Sequence, residues 1–191
     1  MNVPAYQAVI AAPGFSLGIR CDIDEILGIE FLEPGAEVKP TSLLAKEAVR
    51  QLRAWLRDPQ FSFALPLRPH GTPFQRRVWA GIAAIPPGQT LTYGELAKLV
   101  KSAPRAVGGA CGANPYPLVV PCHRVVAATG LGGFGGGSAR LKQPLHGVAN
   151  TSARQRQGDT APSASTAQGS IATASFLLGV KRWLLHRETV L

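Results

Sequence analysis

Cysteine is scarce in this chain of 191 residues: only Cys21, Cys111 and Cys122 occur. They are too few and too scattered for a disulfide scaffold, and none falls in the Cys-x-x-Cys spacing of a zinc site. A reducing, intracellular setting is expected. Charge is also sparse, at 16% against 46% hydrophobic residues. That balance excludes a wholly disordered chain and is enough to build a core. No apolar run approaches the ~20 residues a membrane helix needs. Met1 to Tyr6 shows no cationic stretch leading into an apolar one, so no secretory signal is expected. Anionic residues are outnumbered, 11 Asp and Glu to 20 Lys and Arg, for a net charge of +9. The excess points to a polyanion partner, nucleic acid above all. His70, His146 and His186 show no metal spacing with the cysteines and read as solvated or capping residues. The glycine-rich run 132–137 lacks the Lys-Ser/Thr that completes a phosphate loop, so it reads as a loop over a pocket.

What is present divides into two units of an α+β chain. Over residues 1–68, Phe15–Cys21 and Ile26–Leu32 read as strands joined by a turn at 22–25. Ser42 opens an amphipathic helix through Leu44, Ala48, Leu52 and Trp55 that Asp58-Pro59 stops. Phe61–Leu65 reads as a third strand, ended by Pro66. Over residues 69–191, Phe74, Val78, Trp79 and Ile82 share one helical face, broken at Pro86-Pro87-Gly88. Thr92 and Glu95 match a capping box, which opens a helix from Tyr93 to Val100. Pro104 sits where a first-turn proline starts the next helix. Two short helices joined by about four residues make a helix-turn-helix pattern. Residues 143–175 are poor in aromatic and large aliphatic side chains and read as a disordered insertion. A closing helix is expected from Phe176.

The helix after Pro104 carries almost no bulk at Ala106, Gly108, Gly109 and Ala110. Its two glycines cost roughly 1 kcal/mol each against alanine. Either another helix packs closely there or a nucleic acid approaches its backbone, and the residues alone do not choose between them. Leu118–Val120 reads as a buried strand or extended segment that delivers Cys122, followed by His123 and Arg124. A cysteine beside a base or a positive charge becomes a nucleophile when its thiolate is favoured. A Cys-His dipeptide alone is weak support for that, since most lone cysteines are inert core residues. Cys21 and Cys111 read as buried small hydrophobes.

Gly71-Thr72-Pro73-Phe74-Gln75, Thr92-Tyr93-Gly94-Glu95, Arg105-Ala106-Val107-Gly108-Gly109-Ala110, Asn114-Pro115, Pro121-Cys122-His123-Arg124 and Lys181-Arg182-Trp183-Leu184-Leu185 occur in this order. Together they closely resemble the methylated-DNA–protein-cysteine methyltransferases, the O6-alkylguanine-DNA alkyltransferases. The resemblance covers about 70–188 apart from the insertion, with weaker support before it. It implies a ribonuclease-H-like N-terminal domain and a winged-helix-like C-terminal domain. It further implies direct-reversal repair: an alkylated guanine is flipped out of double-stranded DNA and one cysteine takes its alkyl group irreversibly. O4-alkylthymine would be a further substrate. A sensor that flips the base without repairing it is the alternative, should the insertion block the pocket.

By the same resemblance, Cys122 is the acceptor, His123 the base acting through water, and Glu188 the acid completing the relay. Asn114 ties the helix-turn-helix to the active-site turn. Tyr93 contacts phosphate and helps the guanine depart. Arg105 fills the gap left by the flipped base, with Ala106, Gly108 and Gly109 on the DNA face. Pro117, Val119, Phe134 and Gly135 would line the base pocket. No metal or organic cofactor, no membrane, a monomeric state and a cytoplasmic location (nuclear in a eukaryote) are expected. Gly112 and Gly135 fall where some members carry polar or basic side chains.

Overall fold

A computed structural model describes residues 6–135 and 164–189. The N-terminal part is a three-stranded antiparallel meander, β1 (Ala8–Ala12), β2 (Phe15–Cys21) and β3 (Ile26–Leu32), in the order β1-β2-β3. Helix α1 (Leu43–Arg57) packs on β1 and β2. Ser42 caps it by accepting from the amide of Ala45, as the sequence expects. The turn between β2 and β3 is held by Asp22, whose Oδ1 accepts from the amides of Asp24 and Glu25. Strand β1 was not expected: Ala-Val-Ile-Ala-Ala has neither the alternation nor the β-branched density that marks a strand.

The expected third strand at 61–65 does not form. That segment is extended but pairs with a side chain: Gln51 donates to the carbonyl of Ala64 at 3.1 Å and accepts from its amide at 2.8 Å. Backbone pairing begins later, where the amide of Ile26 donates to Pro66 and that of Arg68 to Ile26. Prolines at 66 and 69 lack the donors a continuous ladder needs.

Helix α2 (Pro73–Ala83) opens on a capping box between Thr72 and Gln75. The expected Thr92–Glu95 box caps α3 (Tyr93–Leu99), and Pro104 starts α4 (Pro104–Gly112). Short strands β4 (Leu91–Thr92) and β5 (Val125–Val126) pair in parallel beside them. The last helix, α5, runs Ala164–Thr189. Of the expected insertion, 143–163 lies outside the described residues, while 164–175 is helical. Its alanines are strong helix formers, so a composition too polar for a core still suits a helix.

One apolar cluster runs through residues of both expected units. Trp183 of α5 packs edge-on to Phe15, Phe15 edge-on to Phe31, and Phe31 against Phe134, with ring centroids 5.3, 5.6 and 5.4 Å apart. The hydroxyl of Tyr116 lies 2.5 Å from the carbonyl oxygen of Arg68, and the amide of Ile29 donates to Pro115 at 2.9 Å. The meander thus buttresses the segment that carries Cys122. Among the described residues no helix is long and apolar enough to cross a membrane.

Gln51 is 2% exposed, and Gln51→Leu removes its two part-buried hydrogen bonds to the Ala64 amide and carbonyl. The variant should lose about 2 kcal/mol, read as a lower urea midpoint at unchanged slope.

Candidate active site

Between α4 and β5 the chain reverses twice. Asn114 organises the first turn: its Oδ1 accepts from the amide of Tyr116 at 3.0 Å and its Nδ2 donates to the carbonyl of Val120 at 2.8 Å. The amide of Val120 closes on Tyr116, and Leu118 takes a φ of +74°. The expected strand over 118–120 is therefore a tight turn. A buried leucine in the left-handed region costs of order 1–3 kcal/mol, which the surrounding bonds must offset. A single 3-10 turn, Cys122–Arg124, follows and places its three side chains on different partners.

Behind the turn, His123 Nε2 lies 2.8 Å from Glu188 Oε1. Arg124 donates to the same carboxylate through Nε and Nη2, and to the carbonyl of Ile85 through Nη1. His123, Arg124 and Glu188 are 1%, 6% and 4% exposed. The hydrogen bonds and charges of His123 and Arg124 outweigh desolvation and hold Glu188 at about 2, so it is ionised. As the anion it accepts the proton on Nε2, which leaves the basic lone pair of His123 on Nδ1. Burial pushes His123 down despite Glu188, which favours the neutral ring. Burial pushes the Cys122 thiol up, opposed by a hydrogen bond from Asn114 and the charge of Lys181.

Lys181 was read only as part of a sequence motif. Its side chain is fully buried, and Nζ donates to the carbonyls of Val125, Leu131 and Gly133 at 2.7, 2.6 and 3.0 Å. It faces the rings of Tyr93 and Phe134. Burial lowers its pKa to about 8 against the pull of Cys122 and Cys111. A lysine at this helical position shows no sequence signal of burial, because its three acceptors come from a distant loop.

Cys122 lies at one side of a cleft of about 820 Å³ lined also by Tyr93, Arg105, Gly108, Gly109, Cys111, Phe134 and Gly135. Arg105 is exposed at the first turn of α4. The Tyr93 hydroxyl donates to Gly133 at 3.1 Å, and burial lifts its pKa to about 12. Pro117 and Val119 are not among the residues lining this cleft; they sit within the turn that precedes Cys122. Ala106 is exposed on α4 but also off the lining. A methyl added at Gly109 would meet nothing within 4 Å, and one at Gly108 only the ring of Tyr93 at 4.0 Å. Internal packing therefore does not require either glycine, and α4 presents bare backbone outward. Gly132 differs: at φ +68° its Cβ would come within 2.9 Å of Tyr93. Among the described residues no group of His, Cys, Asp and Glu could hold a metal ion.

The family model described as the 6-O-methylguanine DNA methyltransferase DNA binding domain matches residues 73–147. A methylated-DNA–protein-cysteine methyltransferase of Methanosarcina acetivorans is 47% identical over 141 residues, covering 69% of this chain and 90% of that protein. The solved Mycobacterium tuberculosis O6-methylguanine methyltransferase aligns with a TM-score of 0.64 at 28% identity, covering 95% of this chain and 90% of that one. The M. tuberculosis OGT solved in complex with DNA aligns at 0.58 and 36% identity, covering 67% of this chain and 83% of that one. The chain spans from 36% to 90% of the length of the curated relatives it matches first.

Removing the Lys181 charge should make the thiol harder to ionise. In Lys181→Met, alkylation of Cys122 by iodoacetamide, followed on the Cys122 peptide by mass spectrometry, should slow about tenfold. The wild-type advantage should fade as pH rises through about 8, where Lys181 sheds its proton. Glu188 is ionised more readily in the folded chain than its ordinary 4.5. Its contribution to stability is complete above that value and lost as pH falls through about 2. Glu188→Gln should therefore flatten this part of the acid unfolding profile, and should cost about 3–5 kcal/mol at neutral pH by leaving Arg124 unpaired.

Proposed function

The chain belongs to the methylated-DNA–protein-cysteine methyltransferase family, and from that premise we propose that it repairs O6-alkylguanine in double-stranded DNA by moving the alkyl group onto Cys122. The observation that carries this reading is the placement of Cys122: in a cleft below the bare backbone of α4, with a neutral His123 and an ionised Glu188 behind it.

The alkyl carbon on O6 lies inside the base stack and cannot reach a recessed sulfur there, so the damaged nucleotide must leave the duplex. Arg105, at the exposed start of α4, is placed to occupy the gap. Gly108 and Gly109 let the DNA come close to the helix, and amides in its first turn favour phosphate. Residues 69–191 then bind DNA and accept the alkyl group, with residues 1–68 as a buttress.

In the chemical step the Cys122 proton passes to Nδ1 of His123, directly or through one water, while Glu188 steadies the imidazolium that forms. Lys181 and Asn114 stabilise the thiolate. Sulfur attacks the alkyl carbon, an S–C bond forms, and the C–O6 bond breaks with its electron pair going to the purine. The Tyr93 hydroxyl supplies a proton to the departing base and regains one from His123 through solvent. The products are intact guanine and a neutral thioether. No group in the cleft can cleave that thioether, so each molecule reacts once. O4-alkylthymine, which presents the same alkyl carbon on a smaller ring, is a second substrate. We place the activity in the cytoplasm.

After incubation with an O6-methylguanine duplex, the Cys122 peptide should gain one methyl group, with none on the peptides of Cys21 or Cys111. Cys122→Ala should lose transfer and keep damage-specific binding. Folded wild-type protein that binds the lesion tightly yet gains no methyl would instead be a damage sensor. Gly109→Ala gives two opposite expectations. The helix should gain about 1 kcal/mol in thermal unfolding, while duplex affinity falls because the methyl group stands where DNA approaches.

A further inference from the structure

Helix α1 presents a second charged surface, which shares no residue with the cleft. Lys46, Arg50, Arg53 and Arg57 recur at four-, three- and four-residue steps and so form one stripe. The opposite face, with Ala45, Ala48, Leu52 and Trp55, is buried. The stripe borders a shallow groove of about 320 Å³ floored by Pro40 and Val49. Two of its cations are oriented by carboxylates: Glu47 takes two hydrogen bonds from Arg50, and Glu37 one from Arg53 at 3.1 Å. Among the described residues, Lys46 and Arg57 meet no carboxylate. Like charges at these spacings cost a helix about 0.2–0.5 kcal/mol per pair, and the exposed ion pairs of Arg50 and Arg53 are of small worth.

We infer that this stripe is a second DNA-backbone site, which holds a duplex segment other than the one seated on α4. The inference rests on the DNA-repair reading. From Lys46 to Arg57 the helix rises about 16 Å, which spans about five nucleotides of one strand. The only aromatic residue on α1 is Trp55, and it is buried. The stripe therefore offers no ring on which an unpaired base could stack, which disfavours single-stranded nucleic acid. Trp55 points inward to His123, with ring centroids 6.1 Å apart. No residue of α1 lines the cleft below α4, and no residue beyond Arg57 lines the groove of the stripe. The stripe and α4 are separate surfaces, and on this inference each takes its own duplex segment. Contacts of this kind position DNA without reading its sequence.

The test mixes the full chain with two unrelated short duplexes. One carries a donor dye and O6-methylguanine, the other an acceptor dye. Energy transfer and methylation of Cys122 are read from the same sample. The wild type should bring the dyes together, with a signal that falls steeply with salt. Lys46→Gln with Arg57→Gln should weaken the signal several-fold. Adding Arg50→Gln and Arg53→Gln should abolish it, with methyl transfer within about twofold of wild type. Arg50 and Arg53 make exposed ion pairs of small worth, so the fourfold variant should still fold. Undiminished energy transfer in that variant, or methyl transfer without energy transfer in the wild type, overturns the inference. Single-stranded RNA or an acidic peptide that displaces the second duplex at a tenth of the DNA concentration overturns its assignment to duplex DNA. A wild type that bridges but never methylates Cys122 would instead defeat the alkyl-transfer reading.

Discussion

The buried carboxylate of Glu188 is the constraint on which the site depends. It takes the Nε2 side of His123 and two nitrogens of Arg124, and the amide of Gly88 lies 3.4 Å from its Oε2. Two turns earlier on α5, Lys181 is also buried and gathers three carbonyls from 125–133. One helix thus fastens the catalytic turn on both sides with opposite charges. Each charge is costly to bury, and removing a partner from such a set exposes that cost. The arrangement persists because each charged group is bonded to several fixed partners.

The same burial sets the chemistry. Desolvation raises Cys122 and lowers His123, so both are uncharged at rest. A neutral thiol is a poor target for soluble electrophiles. In the proposed reaction it becomes a nucleophile when proton transfer to His123 is coupled to attack on a carbon held within the cleft. In that reaction Lys181 and Asn114 reduce the cost of the transient thiolate, and Glu188 that of the imidazolium. Reactivity is thereby reserved for a carbon that enters the cleft.

Local rules made much of this visible in the sequence. The Ser42 cap, the Thr92–Glu95 box and the first-turn Pro104 are side-chain events within three or four residues, and they bounded α1, α3 and α4 correctly. What was hidden depends on distant partners. Gln51 substitutes for a strand beside Ala64, which no local pattern records. Leu118 adopts a glycine-like conformation because Asn114 and Tyr116 close the turn around it, so the apolar run resembled a strand. The burial of Lys181 has no local sign because its acceptors lie about fifty residues upstream. Pro117 and Val119, which the resemblance assigns to the base pocket, fall in the turn at 117–120 and are not among the residues lining the cleft. For Gly108 and Gly109 the structure removes the close-packing alternative, because nothing lies nearer than the Tyr93 ring at 4.0 Å.

That empty space and the loop opposite it divide binding from selection. Helix α4 has few side chains able to read base edges, so its contribution is approach and charge. On the proposed reading, selection falls to the far wall, where Gly133 accepts from both the Tyr93 hydroxyl and the Lys181 ammonium. Phe134, held between Phe31 and Lys181, keeps that wall in place. Gly132 must remain glycine for Tyr93 to lie as it does. A base that draws the Tyr93 hydroxyl away leaves Gly133 still bonded to Lys181, so the loop need not open when the tyrosine turns to its substrate. Because Phe31 belongs to β3, the rigidity of this wall extends into the N-terminal meander. The small sheet therefore bears on the reaction although none of its residues lines the cleft.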